Sequence, residues 1–262
     1  MRVLKLYVFL LLLSTAQALS DCEALIANLA KRSTDSPLAF PKLALIEQEL
    51  GQRSLIDIQK ESHKDTIQAH NKKTLEALAE PQQKGGAVLK GGVTFRQADL
   101  LVRFVGEHPT HGSDKEARFD PDGCFGFCFG RATLIHSEAL SRNVPPYLIK
   151  KIWAVGSLEE RRWEFHVSAL IKAESKSGWW ALDPIFHRAM DVRNWILQME
   201  SFSDDGRMMV FVTEANRFSV HSARAYSTVD LLGDGKSDFY NGYFKSYLEE
   251  LLTKPPPEPF LK

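Results

Sequence analysis

A cysteine, a histidine and an aspartate stand in three short runs: Cys128-Phe129-Gly130-Arg131-Ala132, Trp163-Glu164-Phe165-His166-Val167 and Leu182-Asp183-Pro184. These are the residue types that thiol acyl chemistry requires. A thiol becomes a strong nucleophile when a base takes its proton, and the base works when a carboxylate holds its tautomer. Cys128 opens a helical pattern, so the positive end of the helix dipole favours its thiolate. Its backbone N–H can face a developing oxyanion. Gly130 beside it leaves room for a substrate. His166 can take the thiol proton and return it to a leaving amine, and Asp183 can accept the remaining imidazole N–H. Each residue alone has a plainer account: a packed cysteine, one of eight histidines on a surface, an aspartate in an Asp-Pro turn. The combination, at separations that only a fold can close, is what points to chemistry.

The elements that would position these groups are readable to different degrees. Residues 21–30 and 43–79 read as helical, the second rich in good helix formers but with loose apolar spacing, so it must lean on something else. Pro81-Gln82-Gln83-Lys84-Gly85-Gly86 and Gly91-Gly92 are the strongest linker signals. Residues 95–106 resume a helix, and a turn-rich run through Pro109, Gly112, Pro121 and Gly123 delivers the chain to Cys128. Ala132, Ile135 and Ala139 continue the helical spacing, and Pro145-Pro146 ends it. Residues 147–155 are mixed apolar with no clear period. Residues 163–171 alternate as a strand, with Trp163, Phe165, Val167, Ala169 and Ile171 on one face and His166 on the other. That face directs the imidazole toward whatever packs there, the Cys128 helix being the expected neighbour. Trp179–Leu182 is a second strand, joined to the first as a hairpin. Residues 192–199 and 240–252 read as helices and 208–213 as a strand.

Bulk properties narrow the function classes. With 33 basic and 33 acidic residues among 262, the formal net charge is zero, which argues against a nucleic-acid partner held by a broad basic surface. Residues 1–18 have the form of a signal peptide: Arg2 and Lys5, then an apolar run from Tyr7 to Leu13, then Ala16-Gln17-Ala18. The expected protein is therefore exported, to the periplasm or outside the cell, with no stable membrane insertion after cleavage, since no other run is apolar enough to span a bilayer. Export makes the three cysteines matter. Cys22 with Cys124 would leave Cys128 free, whereas Cys124 with Cys128 would mask it, and sequence does not choose between them.

Cys-x-x-Arg-Ala, Trp-x-x-His-Val and Leu-Asp-Pro at these separations resemble the protein-glutamine deamidase (protein-glutaminase) family over about residues 119–200. The resemblance implies an α+β fold with a papain/transglutaminase-like core, in which a helix bearing the cysteine packs on an antiparallel sheet bearing the histidine and aspartate. It implies hydrolysis of glutamine side-chain amides in proteins or peptides, with Cys128 as nucleophile, His166 as base and acid, Asp183 as the orienting carboxylate, and no cofactor. Residues 19–86 hold the position of the pro-segment found in some members, and residues 87–262 that of the catalytic domain. The family's Asp-Gly commonly precedes the catalytic cysteine directly, which would select Cys124. Arg131-Ala132 and the helix start select Cys128.

The same triad serves transglutaminases and cysteine proteases, which differ in acceptor and groove. A secreted interaction protein on such a fold is the non-enzymatic alternative, and the complete Cys/His/Asp set speaks against it. His108 and His111 with Asp114 carry metal-binding side chains, but two histidines in a polar loop read as solvated residues, and no metal is expected. The acidic and glycine-containing run 230–238 lacks a closing glutamate for calcium and reads as a turn.

Overall fold

The computed structural model describes residues 63–80, 83–84, 87–88, 91–119, 127–158, 163–174, 178–217, 220, 231, 242–255 and 257–261. The signal segment, the helix expected at 21–30, Cys22, Cys124 and the glycine-containing centre of the 230–238 loop lie outside them. Among the described residues, five α-helices and a five-stranded antiparallel sheet make an α+β fold. The helices are α1 (Lys64–Ala79), α2 (Phe95–Gly106), α3 (Cys128–Ser141), α4 (Val192–Ser201) and α5 (Tyr243–Thr253). A two-residue pair, β1 (Gln83–Lys84) and β2 (Ala87–Val88), forms a small hairpin. The main sheet has the order β6 (Met190–Asp191), β5 (Trp179–Leu182), β4 (Trp163–Lys172), β3 (Ile149–Leu158), β7 (Met209–Glu214).

The expected β4–β5 hairpin is present, with Ala169 opposite Leu182 and Lys172 opposite Trp179. β3, for which the sequence suggested no regular element, is the central strand. It is buried almost throughout because both sheet faces are covered, and with Lys150 and Lys151 buried as well, neither face is marked by polarity and there is no period of two to read. One face carries Trp153, Val155, Val167, Ala169 and Ile171 against α2, α3 and α5. The other carries Ile152, Ala154, Leu170, Trp179 and Val210 against α1 and α4.

α1 finds in that second face the support its own sequence lacks. Ala77 and Leu78 are buried there, and Asn71 serves the outer edge of β7. Its Nδ2 donates to the Met208 carbonyl at 2.9 Å, and its Oδ1 accepts the Val210 N–H at 2.8 Å. Trp179 Nε1 donates to the Leu78 carbonyl at 2.9 Å. The residues on both sides of 81–86 thus share one core. Gly92, read from sequence as part of a linker, is instead a close-approach position: a Cβ there would lie 2.2 Å from the Ala173 carbonyl oxygen. The absence of that Cβ lets Val93 N–H donate to the Lys172 carbonyl at 2.8 Å and extend the sheet by one parallel bridge. Thr94 then starts α2 with a capping box, its hydroxyl accepting Gln97 N–H at 3.2 Å while Gln97 Oε1 accepts Thr94 N–H at 2.9 Å.

Candidate active site

β5 pairs with β4 only across residues 169–172, so the first half of β4 has no strand partner on that side among the described residues. The N-terminus of α3 fills the space. Cys128 takes the first helical position, where its backbone N–H has no intrahelical acceptor. Phe127 in the cap position offers no side-chain oxygen. The positive end of the helix therefore stays directed at the cysteine instead of at a capping group. The thiol is buried, free of any disulfide, and accepts the Val167 backbone N–H at the open strand edge.

His166, next along that strand, completes the contact. Its side chain is hydrogen-bonded to Cys128 and, through Nε2, to Asp183 Oδ2 at 2.6 Å. With Nε2 committed to the carboxylate, Nδ1 is the nitrogen for the thiol. Asp183 ends β5, where the chain leaves the sheet into a short 3-10 turn, and its Oδ1 accepts the Ile185 N–H at 3.3 Å. Its Oδ2 also accepts Trp195 Nε1–H at 2.8 Å. All three residues expected from sequence are thus brought together, and each is less than 10% exposed.

The expected placement of His166 needs one correction. Its neighbour across the strand face is α4, through Trp195 stacked at 6.1 Å, and it reaches α3 around the open edge of β4. Trp163 stacks on His166 at 5.7 Å, the same side of the strand, although strict alternation set the two on opposite faces. The register shift of β3 between Val155 and Leu158, opposite the start of β4, accounts for the break in alternation. Phe165, placed by the alternation on the same face as the buried Val167, is 46% exposed and tilts on Trp153 at 5.9 Å.

The electrostatics are those of an ion pair in a dry site. Burial works against a charged imidazole, but the charge and hydrogen bond of Asp183 and the contact with Cys128 outweigh it, and His166 is pushed up to about 10. Burial also works against the thiolate. The hydrogen bond and charge of His166, the charge of Arg131 and the Val167 amide overcome it, so Cys128 titrates below an ordinary thiol. Burial would raise Asp183, yet His166, Arg131 and the Trp195 N–H hold it below the usual carboxylate range. A thiolate–imidazolium pair backed by a carboxylate can attack a carbonyl carbon and then protonate a leaving amine. Sequence reasoning missed Trp195 and the Val167 amide. Nothing local marks them, since one is a tryptophan in an amphipathic helix and the other a backbone group.

The second histidine cluster is also brought together, in a different composition. His108 and His111 are buried beside Glu250 of α5, whereas Asp114 pairs with Lys115 at the surface. The two histidines are therefore not the solvated loop residues the sequence suggested. These three side chains are the ones among the described residues that could converge on a metal. The Thr110 hydroxyl sits among them, 2.7 Å from His111 Nδ1, 3.2 Å from His108 Nδ1 and 2.9 Å from Glu250 Oε2. His108 Nδ1 also accepts the backbone N–H groups of Thr110 and His111 at 3.3 Å. This is a closed hydrogen-bond network around a hydroxyl. No family model, no curated protein and no solved structure matches the chain.

Proposed function

We propose that this protein hydrolyses the side-chain amide of glutamine in proteins or peptides, through a Cys128 thioester on a papain/transglutaminase-like core. The observation that carries the reading is the buried line from the Cys128 thiol through the His166 imidazole to Asp183 Oδ2, with the last link 2.6 Å long. Its support beyond thiol chemistry in general is the resemblance of the three motifs to protein-glutamine deamidases.

In this mechanism the Cys128 thiolate adds to the glutamine Cδ carbonyl, and the oxyanion forms near the Cys128 N–H at the uncapped end of α3. His166 gives its proton to the departing nitrogen, and ammonia leaves as the C–N bond breaks. Water then loses a proton to His166 and attacks the thioester, releasing glutamate and the thiolate. Asp183 and Trp195 keep the imidazole in the tautomer that each step needs.

The test is ammonia release from casein by the full chain, beside Cys128→Ala and Cys124→Ala, in the presence of a labelled primary amine. The reading expects ammonia from the parent and Cys124→Ala, none from Cys128→Ala, and no amine incorporated. Amine incorporation would make the enzyme a transglutaminase. Peptide-bond cleavage would make it a protease, and loss in Cys124→Ala alone would move the nucleophile.

A further inference from the structure

Arg131 lies one helical turn beyond Cys128 and is 8% exposed. Its Nη1 donates to both carboxylate oxygens of Glu116, at 2.5 and 2.7 Å. Glu116 belongs to the 3-10 turn Ser113–Arg118, so the pair joins that turn to the cysteine helix. The Arg131 Nε is buried without a hydrogen-bond partner among the described residues. A guanidinium that served only to anchor a surface turn would gain nothing from such burial, because desolvating a charge is costly unless other charges compensate it.

The compensation is visible in a charge count around the thiol. In the reactive form Cys128 and Asp183 are both anions, and His166 is one cation. Left at that, the buried site would hold a net negative charge, which low-dielectric surroundings disfavour. Arg131 is the second cation, and its charge acts on both Asp183 and Cys128. Its partner Glu116 is a third anion, but at 17% side-chain exposure against 2% for Asp183 it is the one that water screens most. Lys151 of β3 is fully buried under α3, with its Nζ 4.0 Å from the Phe129 ring centroid and 3.3 Å from the Thr133 hydroxyl and the Arg217 carbonyl; burial lowers its pKa, and the Cys128 charge opposes that only in part. Tyr243 of α5, also within reach of the Arg131 charge, is driven toward neutrality by burial in the same way. Arg131, three residues from Cys128 on the same helix and charged whatever its burial, is the steady countercharge, and the more accessible Glu116 holds it in place.

We propose that Arg131 is a positioning residue whose guanidinium, pinned by Glu116, sets the ionisation of the Cys128 thiol and thereby the pH range in which the nucleophile exists. This rests on the reading of Cys128 as the nucleophile. A pinned arginine suits the role because it stays charged under burial that neutralises a lysine. Lys151 in the same core shows the alternative.

The experiment follows the rate of iodoacetamide alkylation of Cys128 against pH, read on its own peptide by mass spectrometry, in the full chain. Arg131→Met is expected to raise the midpoint by about one to two pH units. Arg131→Lys, whose ammonium the same burial drives toward neutrality, is expected to recover little of that shift. Glu116→Gln keeps an oxygen for Nη1 but removes a negative charge, and is expected to lower the midpoint. A purely structural role predicts no shift, or upward shifts from loosening in both Arg131→Met and Glu116→Gln. Either result overturns the proposal. If Arg131→Met fails to fold, as judged by a thermal melt, Glu116→Gln decides by the sign of its shift. A parent midpoint at the ordinary thiol value overturns the reading of Cys128 as nucleophile, and this proposal with it. A low parent midpoint that Arg131→Met leaves in place overturns this proposal alone.

Discussion

Two buried histidine–carboxylate clusters in this molecule behave in opposite ways. At the edge of β4, His166 meets Asp183 at 2.6 Å and is pushed up to about 10. Beside α5, His108 and His111 face Glu250 at 3.6 and 3.8 Å, and burial lowers both, His111 to about 4. The desolvation penalty is common to the two sites. The carboxylate makes the difference. Asp183 is buried, its side chain 2% exposed, and directs its charge at one imidazole and one arginine. Glu250 is partly exposed and is shared between Thr110, Lys254 and two histidines. A close, dry carboxylate makes an imidazolium and hence a proton donor. A distant, shared and solvated one leaves a neutral ring whose value lies in its hydrogen bonds.

The largest effect that would break this contrast is Asp183→Asn. Removing the charge but keeping the shape should lower turnover by about 10³- to 10⁴-fold, measured as ammonia release, because the imidazole loses both its tautomer and its counterion. The protein should still unfold cooperatively. The same substitution should shift the alkylation midpoint of Cys128 toward that of a free thiol. Trp195→Phe removes one of the hydrogen bonds on Oδ2 and should cost about tenfold in turnover, with the apolar stack on His166 retained.

Thermal stability against pH separates the clusters without any substrate. The His166 contribution is fully present below its unfolded value near 6.5 and is lost as pH rises through about 10. His111 has the opposite sign. Its folded value is depressed, so the unfolded chain takes up the proton first, and stability falls as pH drops from about 6.5 toward 4. His111→Gln should flatten that acid limb, cost about 1–3 kcal/mol at neutral pH through its broken network, and leave turnover unchanged. A change in turnover would sink the assignment of this cluster to structure. Glu250→Gln should have the smallest effect, about 1 kcal/mol or less, because its carboxylate is already screened by solvent and Lys254.

Legibility followed the range of the interactions involved. α2 was readable to the residue because its cap, its apolar stripe and its end are all local. β3 was not, because its signal is burial on two faces, and burial is supplied by α1, α3 and α4 from elsewhere in the chain. Trp163 was assigned the wrong face because a strand's alternation is local but the register of its partner is not. Arg131 was visible only as a letter in a motif, since the meaning of its charge depends on Glu116 and Asp183 arriving beside it.

By itself, the sequence determined which groups were available for chemistry: a thiol at a helix start, an imidazole in a strand, a carboxylate at a strand end. Those are properties of residue type and local backbone preference. Tertiary structure alone decided that β5 stops short and leaves an edge for Cys128. It also decided that His166, Arg131 and Trp195 hold the carboxylate ionised, and that His108 and His111 close on a threonine hydroxyl. The physical reason is that ionisation depends on distance, burial and countercharge. All three are set by segments tens of residues apart, packed against one sheet.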